Sequence, residues 1–273
     1  MGDAGVTTFE AAAGAARLLS RHQSLAESSA ALPDGAYTTF RTYAGRRVLR
    51  LEAHLTRLEN SVALQGRPGA IDRASARAAL AAALDATGHA ESRLRVTFAP
   101  PRLLVAVEAF VPLPAALYET GVECVTVDVR RQNPHAKDTR FIVTAQGAYG
   151  RLPPGVEEGL LLADDGAILE GLSSNFFAVS DGVLRTEGER VLFGITRSLA
   201  LEVAGAVLPI EPRPVSRGDL PRVSEAFLTS VSREVLPVVR IDARPIGDGR
   251  VGPKTRAIIA GFKALVAREA ESL

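Results

Sequence analysis

Apolar positions recur along the chain at two periods, and the switches between them mark its elements. In residues 36–43 (AYTTFRTY), β-branched and aromatic residues dominate, as a strand requires. Ala44-Gly45-Arg46-Arg47 then turns the chain, and Val48-Leu49-Arg50-Leu51 is the expected return strand. The period lengthens next: Leu51, Leu55, Leu58 and Val62 line one face of a helix, and residues 74–84 form a second amphipathic helix ended by Thr87-Gly88. Residues 93–98 and 103–110 are strands joined at Ala99-Pro100-Pro101. The alanine-rich first thirty residues are weakly patterned and are expected to form a helix or a loose lead-in.

After Tyr118 the spacing favours short strands. Residues 122–129 alternate, residues 159–163 and 167–169 flank the turn Asp164-Asp165-Gly166, and residues 176–180 and 183–186 flank Asp181-Gly182. An Asp-Gly between apolar runs is a strong hairpin signal. Helices are expected at 140–149, 196–206 and 254–270. The whole predicts an α+β protein with an antiparallel or mixed sheet, in two domains: a small N-terminal one over residues 1–113 and a larger C-terminal one over 114–273.

Composition adds exclusions. Of 273 residues, 47% are hydrophobic and 23% charged, the balance of an ordinary globular protein. Thirty-two basic residues face 31 acidic ones, a net charge of +1, which argues against nucleic-acid or membrane-surface partners held by bulk electrostatics. Cys124 is alone, which excludes an intramolecular disulfide and a cysteine metal cluster. The four histidines, His22, His54, His89 and His135, lack paired ligand spacing, so no metal is expected. No apolar run approaches the roughly 18 residues of a membrane helix, and the N-terminal segment lacks the basic and apolar regions of a secretory signal. A soluble cytoplasmic protein is the expectation.

Two tempting patterns fail. Gly247-Asp-Gly249-Arg-Val-Gly252 fits G-x-G-x-x-G, but no βαβ unit follows it with an acid about 20 residues on. Gly171-Leu-Ser173-Ser-Asn175 lacks the second glycine of a nucleophile elbow. A more coherent set lies elsewhere. Lys137 sits where an alternating strand gives way to an irregular turn, a position that by itself also suits a solvated surface lysine. Glu170 ends an apolar strand between Leu169 and two phenylalanines, where a charge is costly to bury unless a cation meets it. Gly194-Ile195-Thr196-Arg197 opens a helix, and such an N-terminus is either an anion site or an ordinary cap by Thr196. Arg57, on the same helix as His54, offers a two-pronged donor, and Thr229-Ser230-Val231-Ser232 offers hydroxyls and amides.

Taken in order, these segments resemble the fold-type IV pyridoxal-phosphate enzymes: branched-chain and D-amino-acid aminotransferases and aminodeoxychorismate lyase. The resemblance runs over residues 35–262. It is carried by GAYTTFRTYAG, LEAHLTRLENS, NPHAKDTRF, ILEGLSSNFFAVSDGVLRT, VLFGITRSLALEVA, SEAFLTSVSREVLPVVRID and IGDGRVGPKTRAI. It implies a small α/β domain, a larger domain with a β-barrel-like core, a pyridoxal 5'-phosphate cofactor and a homodimer. It implies that Lys137 holds the cofactor as a Schiff base and moves the proton between substrate Cα and cofactor. Glu170 would face the pyridine nitrogen and keep it protonated. Arg57, the amides of Ile195 and Thr196, and Ser232 would anchor the phosphate, with Val231 standing where the family often has threonine. Ser174 and Asn175 would shape the loop beside the ring, and Tyr37, Arg41 and Arg93 would meet the substrate.

Two departures bear on specificity. A tyrosine that many branched-chain enzymes carry about five residues after the lysine is replaced by Arg140-Phe141-Ile142, so that its contact is either changed or supplied by Arg140. A T-R-G turn is replaced by Phe98-Ala99-Pro100-Pro101. The implied activity is transfer of an amino group between an amino acid and a 2-keto acid. The alternatives are the lyase reaction, which releases pyruvate with the same lysine, and a cofactor-free binding protein that retains the fold.

Overall fold

A computed structural model describes residues 5–273, so the first four positions of the expected lead-in lie outside the described residues. Contacts divide the chain into two compact units: residues up to Val111 with Ala136–Ile142 and Glu269–Leu273, and Pro112–His135 with Val143–Arg268.

In the first unit, β1 (Val6–Ala12) and β2 (Ala15–His22) form a hairpin, followed by α1 (Leu25–Ala30), β3 (Ala36–Arg41), β4 (Arg47–Val48), α2 (Leu51–Leu64), α3 (Arg73–Thr87), β5 (Ser92–Ala99) and β6 (Arg102–Ala109). Five strands make one antiparallel sheet in the order β2-β1-β6-β5-β3. Its core side carries Phe9, Phe40, Leu94, Val96, Phe98, Val105 and Val107, packed with Leu55, Leu58 and Val62 of α2 and Leu80 and Ala83 of α3. The alternation read along residues 36–43 is the pleat of β3, buried and half-buried by turns. Both expected helices form, and α3 ends at Gly88 in the left-handed conformation, φ 65°.

Two expectations here are corrected. The lead-in contains a hairpin rather than a helix from the start, because β1 bonds to β6 and its weak local preference yields to that pairing. The return strand is only two residues long; Tyr43 and Arg47 form an isolated bridge, but β4 itself pairs with β16 (Glu271–Ser272).

The remaining elements are α4 (Ala116–Thr120), β7 (Val122–Val127), α5 (Arg140–Tyr149), β8 (Val156–Leu162), β9 (Ile168–Gly171), β10 (Asn175–Ser180), β11 (Val183–Arg185), α6 (Ile195–Ala204), β12 (Ile210–Glu211), β13 (Val223–Ser230), β14 (Glu234–Ile241), β15 (Arg244–Pro245) and α7 (Pro253–Glu269). Six of these strands close a barrel in the second unit. β8-β9, β9-β10, β10-β13 and β13-β14 are antiparallel, whereas β14-β7 and β7-β8 are parallel. The barrel-like core and the α+β class are therefore present. Cys124, Leu160, Phe176, Ala178, Leu228, Leu236 and Val238 belong to its core. No helix among the described residues is long and apolar enough to cross a membrane.

Candidate active site

In the first unit, the segment carrying Lys137 is stitched to the start of β3. Tyr37 N donates to Lys137 O (2.9 Å), Thr139 N to Gly35 O (3.0 Å), and Gly35 N to Thr139 Oγ1 (3.1 Å). Gly35 has to be glycine, since a Cβ there would collide with the carbonyl of Phe98. From the other side Lys137 N donates to Ser61 Oγ of α2 (3.2 Å). With its backbone held at both ends, Lys137 places Nζ 4.7 Å from the centre of the Tyr37 ring, a cation–π distance.

Arg57, four residues before Ser61 on α2, donates from Nη2 to Thr38 Oγ1 (2.6 Å). Burial pushes its pKa down to about 10, the mark of a cation that no carboxylate compensates. The structure thus gathers Tyr37, Arg57 and Lys137 around two neighbouring positions of β3. Arg41 and Arg93 are cross-strand partners at the far end of β3, four residues beyond Tyr37 or about 13 Å along the strand. Arg41 stacks on Tyr43 and Phe110, and Arg93 pairs with Glu108. Arg95 lies nearer, with its guanidinium 5.2 Å from the Tyr37 ring and Nη1 donating to Leu25 O (3.1 Å) and Ser29 Oγ (2.7 Å). Burial lowers its pKa as well. Arg140 is exposed and engages Asp138, at 2.9 Å from Nε to Oδ2.

In the second unit, Glu170 lies one residue before the end of β9 with only 4% of its side chain exposed, and the required cation is Arg131, whose Nε donates to Oε1 at 2.9 Å. Asn175 Nδ2 (3.3 Å) and Leu192 N (3.2 Å) donate to Oε2. Asn175 sits at the start of β10, in register with Glu170, and its amide also donates to Leu192 O (2.8 Å).

Ser174 turns its hydroxyl to the buried Glu158 (2.9 Å), which also receives Tyr149 OH (2.6 Å) and Arg233 Nη1 (2.8 Å). Burial raises the Tyr149 pKa, and Glu158 raises it further. This polar cluster holds the underside of the turn between Glu170 and Asn175.

The N-cap of α6 is Gly194, not Thr196, and no side chain caps it, so the amides of Ile195 and Thr196 have no acceptor within the helix. A Cβ at 194 would collide with Asn175 Oδ1, which explains the glycine. Ser232 lies in the turn from β13 to β14, and the buried Thr229 Oγ1 before it lacks a hydrogen-bond partner among the described residues.

The donor sets suit pyridoxal phosphate. In the first unit, a guanidinium that no carboxylate compensates suits a phosphate and a lysine amine suits an aldehyde; in the second, uncapped helix amides suit a phosphate and a buried carboxylate suits a pyridinium N–H. Sequence reasoning missed Thr38 and Ser61, although Arg57 and Ser61 share a helix face at i and i+4. It also missed Arg95, one alternation beyond Arg93, and Arg131, which lies in an irregular stretch with no pattern to single it out.

A family model described as amino-transferase class IV matches residues 35–241. The branched-chain-amino-acid aminotransferase of Pseudomonas aeruginosa is 29% identical over 164 residues, 56% of this chain and 53% of that protein. The D-alanine aminotransferase of Staphylococcus aureus is 36% identical over 102 residues, 36% of each chain. The chain therefore spans about half the length, or less, of these curated relatives. Among solved structures, the branched-chain aminotransferase of Thermoproteus uzoniensis with norvaline superposes with a TM-score of 0.74 at 25% identity, over 98% of this chain and 96% of that one. With a family model covering most of its length and a fold shared over nearly all of it, the chain belongs to the class IV aminotransferases, pyridoxal-phosphate enzymes of fold type IV.

Proposed function

We propose that this protein is an aminotransferase that moves an amino group between an amino acid and a 2-keto acid, with Lys137 Nζ as the amine that holds pyridoxal 5'-phosphate covalently. When bound, the cofactor supplies an electron sink for negative charge at the substrate Cα. Lys137 Nζ takes the proton from that carbon and returns it, because an amine freed from the cofactor is a base of suitable strength and reach. Glu170, kept ionised by Arg131, accepts the hydrogen bond of the ring N–H. Arg57, the Ile195 and Thr196 amides and Ser232 receive phosphate oxygens, while Ser174 and Asn175 hold the turn that presents Glu170. Tyr37 belongs to the substrate side with Arg95 as the cation beside it, while Arg41 and Arg93, at the far end of β3, would act only on the outer part of a substrate.

The observation that carries this reading is the two-sided backbone grip on Lys137, which sets its amine against the Tyr37 ring. The same reading takes residues 1–113 and 114–273 as small and large domains and the protein as a cytoplasmic homodimer. Pyridoxal-phosphate-loaded protein should show a visible absorption band that borohydride bleaches, and Lys137→Ala should lack it. Incubation with amino acids and no acceptor should aminate the cofactor stoichiometrically. A colourless wild type, or a Lys137→Ala protein with full activity, would overturn the proposal. Release of pyruvate from aminodeoxychorismate would replace transfer by the lyase reaction.

A further inference from the structure

The helix face that carries Arg57 also carries His54, which is 2% exposed and has no part in the reading above. Its Nδ1 lies 2.6 Å from Thr38 Oγ1, the same oxygen that Arg57 Nη2 reaches at 2.6 Å. Thr38 is fully buried on β3. A guanidinium only donates, so Thr38 Oγ1 accepts from Arg57. Its single hydroxyl proton is then available to His54 Nδ1, an arrangement that a neutral imidazole with its proton on Nε2 completes. Burial and the nearby cations Arg57 and Lys137 hold the His54 pKa well below its usual 6.5, which agrees with the neutral form.

Arg57 is pinned by one nitrogen, while its buried Nε has no hydrogen-bond partner among the described residues. The pin is applied at Thr38, next to the Tyr37 amide that holds Lys137 O. One strand therefore sets the guanidinium and the lysine relative to each other.

We propose that His54 and Thr38 are positioning residues: by the one-way chain Arg57 to Thr38 to His54 they hold the guanidinium in the orientation that takes a phosphate. This rests on the assignment of Arg57 to the cofactor phosphate. Thr38→Val keeps the shape of the side chain and removes both hydrogen bonds; His54→Leu removes only the terminal acceptor; Thr38→Ser keeps the hydroxyl.

The readout is the ratio of dissociation constants for pyridoxal and pyridoxal 5'-phosphate, measured on each purified full-length protein. A side chain that merely fills the core would change melting temperature without changing this ratio. Thr38→Val and His54→Leu should each weaken pyridoxal 5'-phosphate about tenfold and leave pyridoxal unchanged, the loss expected when a hydrogen bond to a charged group is removed. Thr38→Ser should keep the wild-type ratio.

If Arg57→Ala collapses the ratio while Thr38→Val leaves it intact, the positioning chain is wrong and the phosphate assignment stands. If Arg57→Ala itself leaves the ratio intact, the phosphate assignment fails and takes the inference with it. Should His54→Leu not fold, Thr38→Val decides alone.

Discussion

At Glu170 a buried charge and a chemical role demand the same surroundings. Three donors, from Arg131, Asn175 and the Leu192 amide, hold the carboxylate in place, and together they make an ionised acceptor the stable state. Removing the side chain altogether would strand Arg131 and cost several kcal/mol in stability, which would hide any catalytic effect. Glu170→Gln is the milder change: it keeps the shape and one oxygen acceptor for Arg131, loses the acceptor that meets Asn175 and Leu192, and removes the negative charge. Turnover should fall by about two orders of magnitude with cofactor still bound, measured as single-turnover amination alongside cofactor content. Unchanged turnover would remove Glu170 from the electronic role. The acid stood out in the sequence because a charge between Leu169 and Phe176-Phe177 is costly to bury without a cation, although an exposed strand end would have suited it as well. Its partner Arg131 did not stand out, since it lies 39 residues earlier in a segment without secondary structure.

The helix that matters most is α2, which presents His54, Arg57 and Ser61 on one face and Leu51, Leu55, Leu58 and Val62 towards the core. Its 3.6-residue period made it readable in advance; the manner of its start did not show. Arg50 at the N-cap takes a left-handed conformation, φ 50°, and gives no side-chain cap. The acceptor for the first amide is instead Glu271 Oε1, 3.2 Å from Leu51 N, and Arg77 Nη2 holds the other carboxylate oxygen at 3.0 Å. A carboxylate at this end also meets the positive pole of the helix. Glu271→Ala should cost about 1 kcal/mol, read as a lower urea midpoint at unchanged slope, with faster hydrogen exchange at Leu51. Local patterns failed in the same way elsewhere. β14 is buried on both faces and contains Pro237, so it shows neither alternation nor an unbroken strand signature. The β1–β2 hairpin is alanine-rich and forms because β6 supplies the partner edge.

For the whole molecule, fold class and most elements could be read from periodicity and Asp-Gly turns, whereas barrel closure depends on the pairings β10–β13 and β14–β7, whose strands lie too far apart in sequence for any local window. Stability also belongs to this scale, and here His54 has a consequence separate from its proposed positioning role. Its imidazole is buried against Thr38 and Phe40 with Arg57 and Lys137 near it, so its pKa in the folded protein is well below 6.5. In the unfolded chain the ring takes up a proton at about 6.5. Between these two values the unfolded state binds more protons than the folded one, so stability rises with pH across that window and is lost as pH falls below about 6.5. Carboxylates with depressed values act further down. Asp219, held at about 2 by Ser216 and Arg222, loses its contribution only as pH falls below the ordinary carboxylate range. The upper part of the acid limb therefore isolates the histidine. Urea unfolding of wild type and His54→Leu from pH 7 to 5 should show wild-type stability falling relative to the variant, with a limiting slope of about 1.4 kcal/mol per pH unit below pH 6. Parallel curves would mean that His54 titrates alike in both states, which is incompatible with a neutral ring accepting the Thr38 proton.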